Sequence, residues 1–275
     1  MHADDIRPDL RAPKWRPRPM LPSVSRVAAE LGALRGLLGT GAHDALQAYV
    51  AESTGTPVLL IPGFLAGDRS LQPMARRLAV SGYRPCPAGI ERNIDCSESA
   101  SRRLAERLEA IVGDHGRPVP VIGHSRGGML ALVLARRRPE LVSAVVTIAA
   151  PRREPLALHP ALLASTLSLA AAGSAGVRGV IRYSCAFGRC CEAFRSDLAA
   201  PVAANLPYLN VYSRRDGIVD WRACLDAAAH DHIEVDSSHC GMSVHRDVYT
   251  VVGRSLARFG NVDDMPVWAD WAQAA

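Results

Sequence analysis

The chain has 275 residues, of which 48% are hydrophobic and 21% charged, a balance that excludes a disordered chain. No apolar run of about 18 residues lacks a charge or a break, so we expect no transmembrane helix. The first residues carry Asp4, Asp5 and Asp9 among prolines with no apolar stretch behind them. We therefore expect no secretory signal peptide and a cytoplasmic protein.

The net charge of +5 comes almost entirely from arginine, because Lys14 is the only lysine. The arginines are spread along the chain rather than gathered on one element with aromatic side chains, so we expect no nucleic-acid partner. Solvated helix faces and helix C-termini explain the arginines better, and peripheral contact with an acidic membrane surface stays open. Nothing in this pattern sets the oligomeric state.

Seven cysteines bear on the redox state and on metal binding. Their odd number favours reduced thiols, although three disulfides with one thiol left over stay open. The adjacent pair Cys190 and Cys191 lacks a zinc-ligand spacing by itself, and residues 230–232 (His-Asp-His) have no partner cluster in the sequence. We therefore expect no metal site and no cofactor.

Elements can be predicted along the whole chain. Residues 1–22 hold five prolines and are predicted to form an extended arm, and residues 23–50 are predicted to form an interrupted helix. We expect this helix to cover the core, and contact with a membrane or partner surface is the alternative. From there on, apolar runs alternate with helical patterns. The predicted strands are 58–61, 83–87, 119–122, 144–148, 208–212 and 232–235, and the predicted helices are 74–79, 97–112, 126–138, 221–229 and 244–259.

This alternation predicts an α/β fold with a mostly parallel sheet flanked by helices. Residues 151–205 break the rhythm with Ala- and Leu-rich helical stretches, which predicts a helical cap inserted between two strands. We therefore divide the chain into residues 1–50, the arm and helical segment, and residues 51–275, an α/β domain with a cap at about 151–205.

The segment GHSRGG at 123–128 carries the sharpest chemical signal. It lies between an apolar strand and an Ala- and Leu-rich helix, which is the context of a nucleophile elbow. In such a turn the serine takes a strained backbone conformation, and its neighbours must be small. A chance G-x-S-x-G in a glycine-rich loop is the alternative, but the flanking elements favour Ser125 as a catalytic nucleophile.

A serine nucleophile needs a base that is oriented by an acid. On this architecture the acid and then the base follow late strands. Asp216 and His239 follow the last two predicted strands and are the candidates for acid and base. Asp220 is the rival acid and Asp236 a weaker one, but helix capping or solvent exposure is the preferred interpretation of both.

Acyl transfer also requires two donors for the tetrahedral oxyanion. The backbone N–H of Arg126, directly after the serine, is one candidate. The loop IPGFLAG at 61–67, directly after the first buried strand, supplies the other. Phe64 is its natural donor, with Gly63 allowing the turn to close.

Four segments, PGF at 62–64, GHSRGG, SRRDGIVD at 213–220 and SSHCGM at 237–242, together resemble the α/β-hydrolase superfamily. They are most similar to its bacterial lipase and esterase branch. The resemblance covers residues 57–260 and implies a Ser-His-Asp mechanism through an acyl-enzyme, no cofactor, and a cap that contributes the acyl pocket. The chain departs from the pattern at Pro62, where many relatives carry histidine, and in residues 23–50, which are predicted helical where antiparallel strands often open the sheet.

These features predict a serine hydrolase that cleaves carboxylic esters, with a small-molecule, lipid-like substrate and an apolar acyl group. A thioesterase, an acyltransferase or a cofactor-free peroxidase would use the same triad, and a non-catalytic binding protein on this fold is a further alternative. Epoxide hydrolases and dehalogenases are disfavoured because their elbow nucleophile is aspartate. The apolar residues of the cap suit an acyl pocket or plain packing equally well: Leu156, Leu158, Leu162, Leu163, Leu167, Leu169 and Phe187.

Overall fold

The computed structural model describes residues 14–21, 23–38 and 55–260, in which strands and helices alternate. The strands are β1 (Arg18–Pro19), β2 (Pro57–Ile61), β3 (Arg84–Pro87), β4 (Val119–His124), β5 (Val142–Ile148), β6 (Ala157–Leu158), β7 (Tyr208–Tyr212) and β8 (Asp231–Glu234). The helices are α1 (Val24–Leu38), α2 (Gln72–Val80), α3 (Ser97–His115), α4 (Arg126–Arg137), α5 (Pro160–Ser174), α6 (Tyr183–Phe187), α7 (Glu192–Ala199), α8 (Trp221–Cys224) and α9 (Arg246–Gly260).

Six parallel strands of the described residues form the central sheet, in the order β3-β2-β4-β5-β7-β8. Every residue of β2, β4 and β7 is buried. Their continuous apolar runs follow from this, because helices cover both faces of a parallel sheet. β3, which carries Pro85 and Pro87, lies at the sheet edge, where a missing N–H interrupts no inner ladder. The predicted fold class is confirmed.

Two apolar layers hold the helices against the sheet. Helices α3 and α4 pack on one face through Leu104, Leu108, Leu130 and Leu134. Helices α2 and α9 pack on the other through Met74, Leu78, Val252 and Leu256. No described helix is both long enough and apolar enough to cross a bilayer.

One predicted helix is much shorter in the structure, and another is described only in part. The helix predicted at 221–229 ends at Cys224, because the carboxylate of Asp226 accepts the N–H of Ala228 and pairs with Arg152, which turns the chain away. The helix predicted at 23–50 contains α1, and its residues 39–50 lie outside the described residues.

The segment predicted as a cap joins β5 to β7 and contains β6, α5, α6 and α7. Phe194 and Leu198 of α7 extend the apolar layer of α3 and α4. β1 pairs in parallel with β6, so residues 18–19 of the predicted arm lie along the cap segment. The division of the whole chain at residue 50 stays a prediction.

Candidate active site

Ser125 occupies a strained turn between β4 and α4. Its φ of 53° and ψ of −120° are values that side-chain-bearing residues rarely adopt. Two backbone hydrogen bonds hold the turn. Ser125 N–H donates to the carbonyl of Ile148 in β5 at 2.7 Å, and Gly128 N–H donates to the Ser125 carbonyl at 2.9 Å. The turn follows the carboxyl end of β4 and has the strained backbone that is typical of a nucleophile elbow.

The glycines around Ser125 are required by close backbone approach. A Cβ added at Gly123 would lie 2.3 Å from the Gly127 carbonyl oxygen, and one added at Gly127 would lie 2.1 Å from the Ile61 carbonyl oxygen. Neither backbone neighbour can move aside as a flexible side chain could. The G-x-S-x-G spacing is therefore a packing requirement of this turn.

Asp216 and His239 form a buried acid–imidazole pair. The Oδ2 atom of Asp216 lies 2.6 Å from His239 Nδ1, and the two residues are 2% and 4% exposed. The other carboxylate oxygen accepts the backbone N–H groups of Ile218 and Val219 at 2.8 and 2.7 Å. Because a carboxylate can only accept, Nδ1 carries the proton, and the neutral ring has its free lone pair on Nε2.

Glu30 of α1 supports this pair, although sequence reasoning did not single it out. Its Oε1 accepts the N–H groups of His239 and Gly217 at 2.6 and 2.9 Å, and its Oε2 accepts that of Cys240 at 2.9 Å. One buried carboxylate thus joins the loop after β7 to the loop after β8. The only hint in the sequence is an acid among the Ala and Leu residues of α1, and such an acid is usually solvent-exposed.

The surroundings of His239 favour its charged form. Burial lowers the pKa of His239, but the charges of Asp216 and Glu30 and the hydrogen bond that Nδ1 donates to Asp216 outweigh burial and raise this pKa above the usual 6.5. Burial and the nearby His239 lower the pKa of His124 to about 3, so His124 is neutral at pH 7.

His124 lies beside His239. Its Nε2 donates to the His239 carbonyl at 3.1 Å, and the two ring centroids are 4.8 Å apart. The residue next to Ser125 thus contacts the candidate base. Among the described residues, no hydrogen bond joins the Ser125 hydroxyl to His239.

The loop after β2 is fixed to the elbow by a buried polar network. Asn93, 1% exposed, donates from Nδ2 to the Pro62 carbonyl at 2.7 Å and accepts from Arg126 Nη1 at Oδ1, also at 2.7 Å. Leu65, directly after Phe64, has a φ of 64°, so the turn at the candidate oxyanion donor is also strained. Arg126 is the first residue of α4, where a backbone N–H has no acceptor within the helix.

The rival acids have the structural roles we predicted. Asp220 caps α8 by accepting the N–H of Arg222 at 3.1 Å, and it also pairs with Arg18 at 3.6 Å. Asp236 is exposed and pairs with Arg215 at 2.6 Å. Neither carboxylate bonds to His239 in the structure.

A cavity of about 850 Å³, including the space open at its mouth, adjoins Ser125. Five of the seven apolar cap residues line it, namely Leu156, Leu158, Leu162, Leu167 and Phe187. Leu163 packs instead against Tyr212 and Val219, and Leu169 does not line the cavity. Trp15 of the predicted arm also lines it, a contribution that the sequence did not indicate.

Four cysteines from two distant parts of the sequence come together in the fold. The fold brings the sulfur atoms of Cys96, Cys185, Cys190 and Cys191 within 4.8 Å of one another. The spacing of the cysteines in the sequence does not indicate this group, because Cys96 precedes α3 whereas the other three lie in the cap segment. All seven cysteines carry free thiols. In residues 230–232, His230 and His232 instead have ring nitrogens at hydrogen-bond distance from backbone carbonyls.

Comparisons with known proteins agree with this architecture. Residues 56–191 match the family model of the alpha/beta hydrolase fold. A bis(hydroxyethyl) terephthalate hydrolase of Streptomyces coelicolor is 31% identical over 103 residues, which are 34% of this chain and 33% of that protein. The match thus spans about a third of the length of this curated relative.

Solved structures share the fold over a greater length. A structure reported with the metagenome-derived lipolytic enzymes LipS and LipT has a TM-score of 0.54 at 18% identity, covering 76% of this chain and 96% of that one. The mature Bacillus licheniformis lipase BlEst2 has a TM-score of 0.55 at 14% identity, covering 77% and 96%. At such identities the likeness establishes the fold alone. The family match over residues 56–191, on a parallel sheet, shows that the chain belongs to the α/β-hydrolase superfamily.

Proposed function

We propose that the protein hydrolyses carboxylic esters through Ser125, His239 and Asp216. The observation that carries this proposal is the strained Ser125 elbow, which opens onto an apolar cavity next to a buried Asp216–His239 pair. A strained backbone at a cavity is characteristic of functional sites, since packing alone rarely requires it.

In the proposed acylation step, His239 Nε2 takes the proton of Ser125 while Oγ attacks the ester carbonyl. The tetrahedral intermediate collapses by breaking the bond to the alcohol oxygen, which receives that proton from His239. In the second step His239 takes a proton from water, and the water oxygen attacks the acyl-enzyme. The bond to Oγ breaks, the carboxylic acid is released, and Ser125 regains its proton from His239. Asp216 keeps the proton on Nδ1 throughout and stabilises the imidazolium.

The oxyanion is held by the backbone N–H groups of Phe64 and Arg126 in this proposal. Each such donor contributes about 10²- to 10³-fold in kcat. The strained turn at Leu65 and the Asn93–Arg126 hydrogen bond fix the first of these amides relative to the second. Arg126 therefore has two roles in this proposal: its backbone N–H binds the oxyanion, and its side chain holds the loop after β2 through Asn93.

The cavity favours an ester with an apolar acid part. Its walls combine the leucines of the cap segment with Phe64, Phe187 and Trp15. The Streptomyces relative is named for hydrolysis of an ester of an aromatic dicarboxylic acid, and an aromatic acyl group suits these walls as well as an aliphatic one does. We therefore propose apolar acyl or aryl esters as the substrate class.

Hydrolysis of p-nitrophenyl esters of increasing acyl length, with p-nitrophenyl benzoate for comparison, tests the proposal. Wild type and Ser168→Ala, which changes an exposed serine of α5, should be equally active. Ser125→Ala should lose at least about three orders of magnitude in kcat, with the fold checked by circular dichroism. Equal rates for wild type and Ser125→Ala would refute the mechanism, and preferential turnover of acyl thioesters would instead favour a thioesterase.

A further inference from the structure

Four cysteines come together where the cap segment meets the core helices. Cys96 directly precedes α3, Cys185 lies in α6, and Cys190 and Cys191 lie in the 3₁₀ turn 189–191. The sulfur of Cys96 is 3.5 Å from that of Cys190 and 3.4 Å from that of Cys191, and the sulfurs of Cys185 and Cys190 are 3.8 Å apart. One ligand therefore comes from the core and three from the cap.

These distances match a tetrahedral thiolate site rather than disulfides. A disulfide requires an S–S distance of about 2.05 Å, far shorter than any separation in this group. Zinc–sulfur bonds of about 2.3 Å place the corners of a regular tetrahedron about 3.8 Å apart. We propose that Cys96, Cys185, Cys190 and Cys191 bind one Zn²⁺ ion, or another thiophilic divalent cation, that ties the cap segment to the core.

The surroundings of the four thiols suit this role. Cys191 is fully buried and Cys185 nearly so, whereas Cys190 is exposed, so an ion can enter from solvent and still be held in a dry site. The backbone N–H of Arg182 donates to Cys185 Sγ at 3.4 Å, a contact that stabilises a thiolate. Cys96 lies at the N-terminus of α3, whose dipole also favours a thiolate.

Metal binding would change the charge of this group, and a nearby arginine offsets part of that change. Binding one Zn²⁺ to four thiols releases up to four protons to solvent and leaves the group with two negative charges. The guanidinium of Arg126 is near enough to interact electrostatically with Cys96, Cys185 and Cys191, and it offsets part of that charge.

The group also adjoins the cavity next to Ser125. Cys185 lines that cavity, as do its neighbours Tyr183, Ala186 and Phe187. An ion bound to Cys96 and Cys185 would fix this wall against α3. The inference does not rest on the proposed ester hydrolysis, because metal binding is measured directly.

The test is metal content after anaerobic purification under reducing conditions and reconstitution with zinc. Wild type and Cys86→Ala, which changes a buried cysteine outside the group, should hold one equivalent of zinc by plasma mass spectrometry. Cys96→Ala and Cys191→Ala should hold none above the buffer blank. In wild type, Co²⁺ should give the intense visible bands of tetrahedral thiolate coordination, and chelation should lower the Tm.

Two results would overturn the proposal. One is folded, fully reduced wild-type protein that takes up neither zinc nor cobalt. The other is uptake that persists in both Cys96→Ala and Cys191→Ala, which would place the ion elsewhere. If either variant fails to fold, thiol titration of native wild-type protein with a chromogenic disulfide reagent decides instead. Bound zinc should protect four thiols from the reagent. Equal reactivity with and without zinc would contradict the site.

Discussion

At the scale of single residues, the candidate site depends on which carboxylate orients His239. Asp216 contacts the imidazole at 2.6 Å, whereas Asp220 caps α8. The two acids lie four residues apart in one loop, so a pair of Asp→Asn variants separates them with minimal chemical change. Asparagine is also a good helix cap, so the change at Asp220 should preserve α8.

We predict that Asp216→Asn lowers kcat by about 10⁴-fold, because an amide facing Nδ1 favours the wrong tautomer. Asp220→Asn should change kcat by less than about threefold, since its carboxylate does not contact the imidazole. Steady-state hydrolysis of the preferred p-nitrophenyl ester measures both. A larger loss in Asp220→Asn than in Asp216→Asn would reassign the acid.

The raised pKa of His239 predicts the pH dependence of catalysis. His239 acts as a base only when neutral, so kcat/KM should rise with pH and its midpoint should lie above the usual 6.5. Asp216, Glu30 and His124 are the titratable side chains that surround the ring. Glu30→Gln removes one negative charge, which favours the neutral imidazole.

Glu30→Gln should therefore move this midpoint to lower pH. Glu106→Gln, an exposed change on α3, should leave the midpoint in place. A pH profile of kcat/KM from pH 5 to 9 for the three proteins is the measurement. A midpoint that moves upward in Glu30→Gln, or one that moves equally in Glu106→Gln, would contradict the role of Glu30.

At the scale of elements, the sequence indicates local patterns well. Continuous apolar runs predicted the buried strands, including β7 with both ends correct, and the G-x-S-x-G turn was placed between the right strand and helix. The sequence does not indicate contacts between residues that are far apart in the chain. Glu30 bonds to His239 across 209 residues, and Cys96 approaches Cys191 across 95. No local periodicity records such contacts.

The loop after β2 offers a test at this scale. Asn93→Ala leaves the Pro62 carbonyl and one donor of Arg126 without their buried partner, at a cost of about 1–3 kcal/mol in the free energy of unfolding. We predict that kcat falls at least about tenfold with little change in KM, because the Phe64 amide is displaced from the oxyanion. Asn205→Ala, an exposed change, is the control. Loss of stability with kcat unchanged would show that Asn93 only supports the fold.

At the scale of the whole molecule, polar contacts fasten the cap segment to the core. Arg137 of α4 bonds to Glu98 of α3 at 2.7 Å and to Asp197 of α7 at 2.6 Å. Arg152 pairs with the buried Asp226 and also donates to the carbonyls of Leu198, Ala199 and Ala200 at the end of α7. A third attachment joins α3 to the cap segment, where Cys96 contacts Cys191.

Arg152→Met should be strongly destabilising, because it leaves Asp226 buried without its partner. Removing one member of a buried ion pair costs about 3–5 kcal/mol. Arg136→Ala, an exposed change on α4, should cost less than about 0.5 kcal/mol. Urea unfolding monitored by circular dichroism measures both free energies, and equal values for the two variants would show that the Arg152 contacts contribute little.

The central claim is that Ser125 is a reactive nucleophile, and covalent labelling with a fluorophosphonate tests it most directly. Intact mass spectrometry of wild type should show one adduct, peptide mapping should place it on Ser125, and Ser125→Ala should remain unlabelled. Folded wild-type protein that stays unlabelled, or that carries the adduct on another residue, would contradict the account.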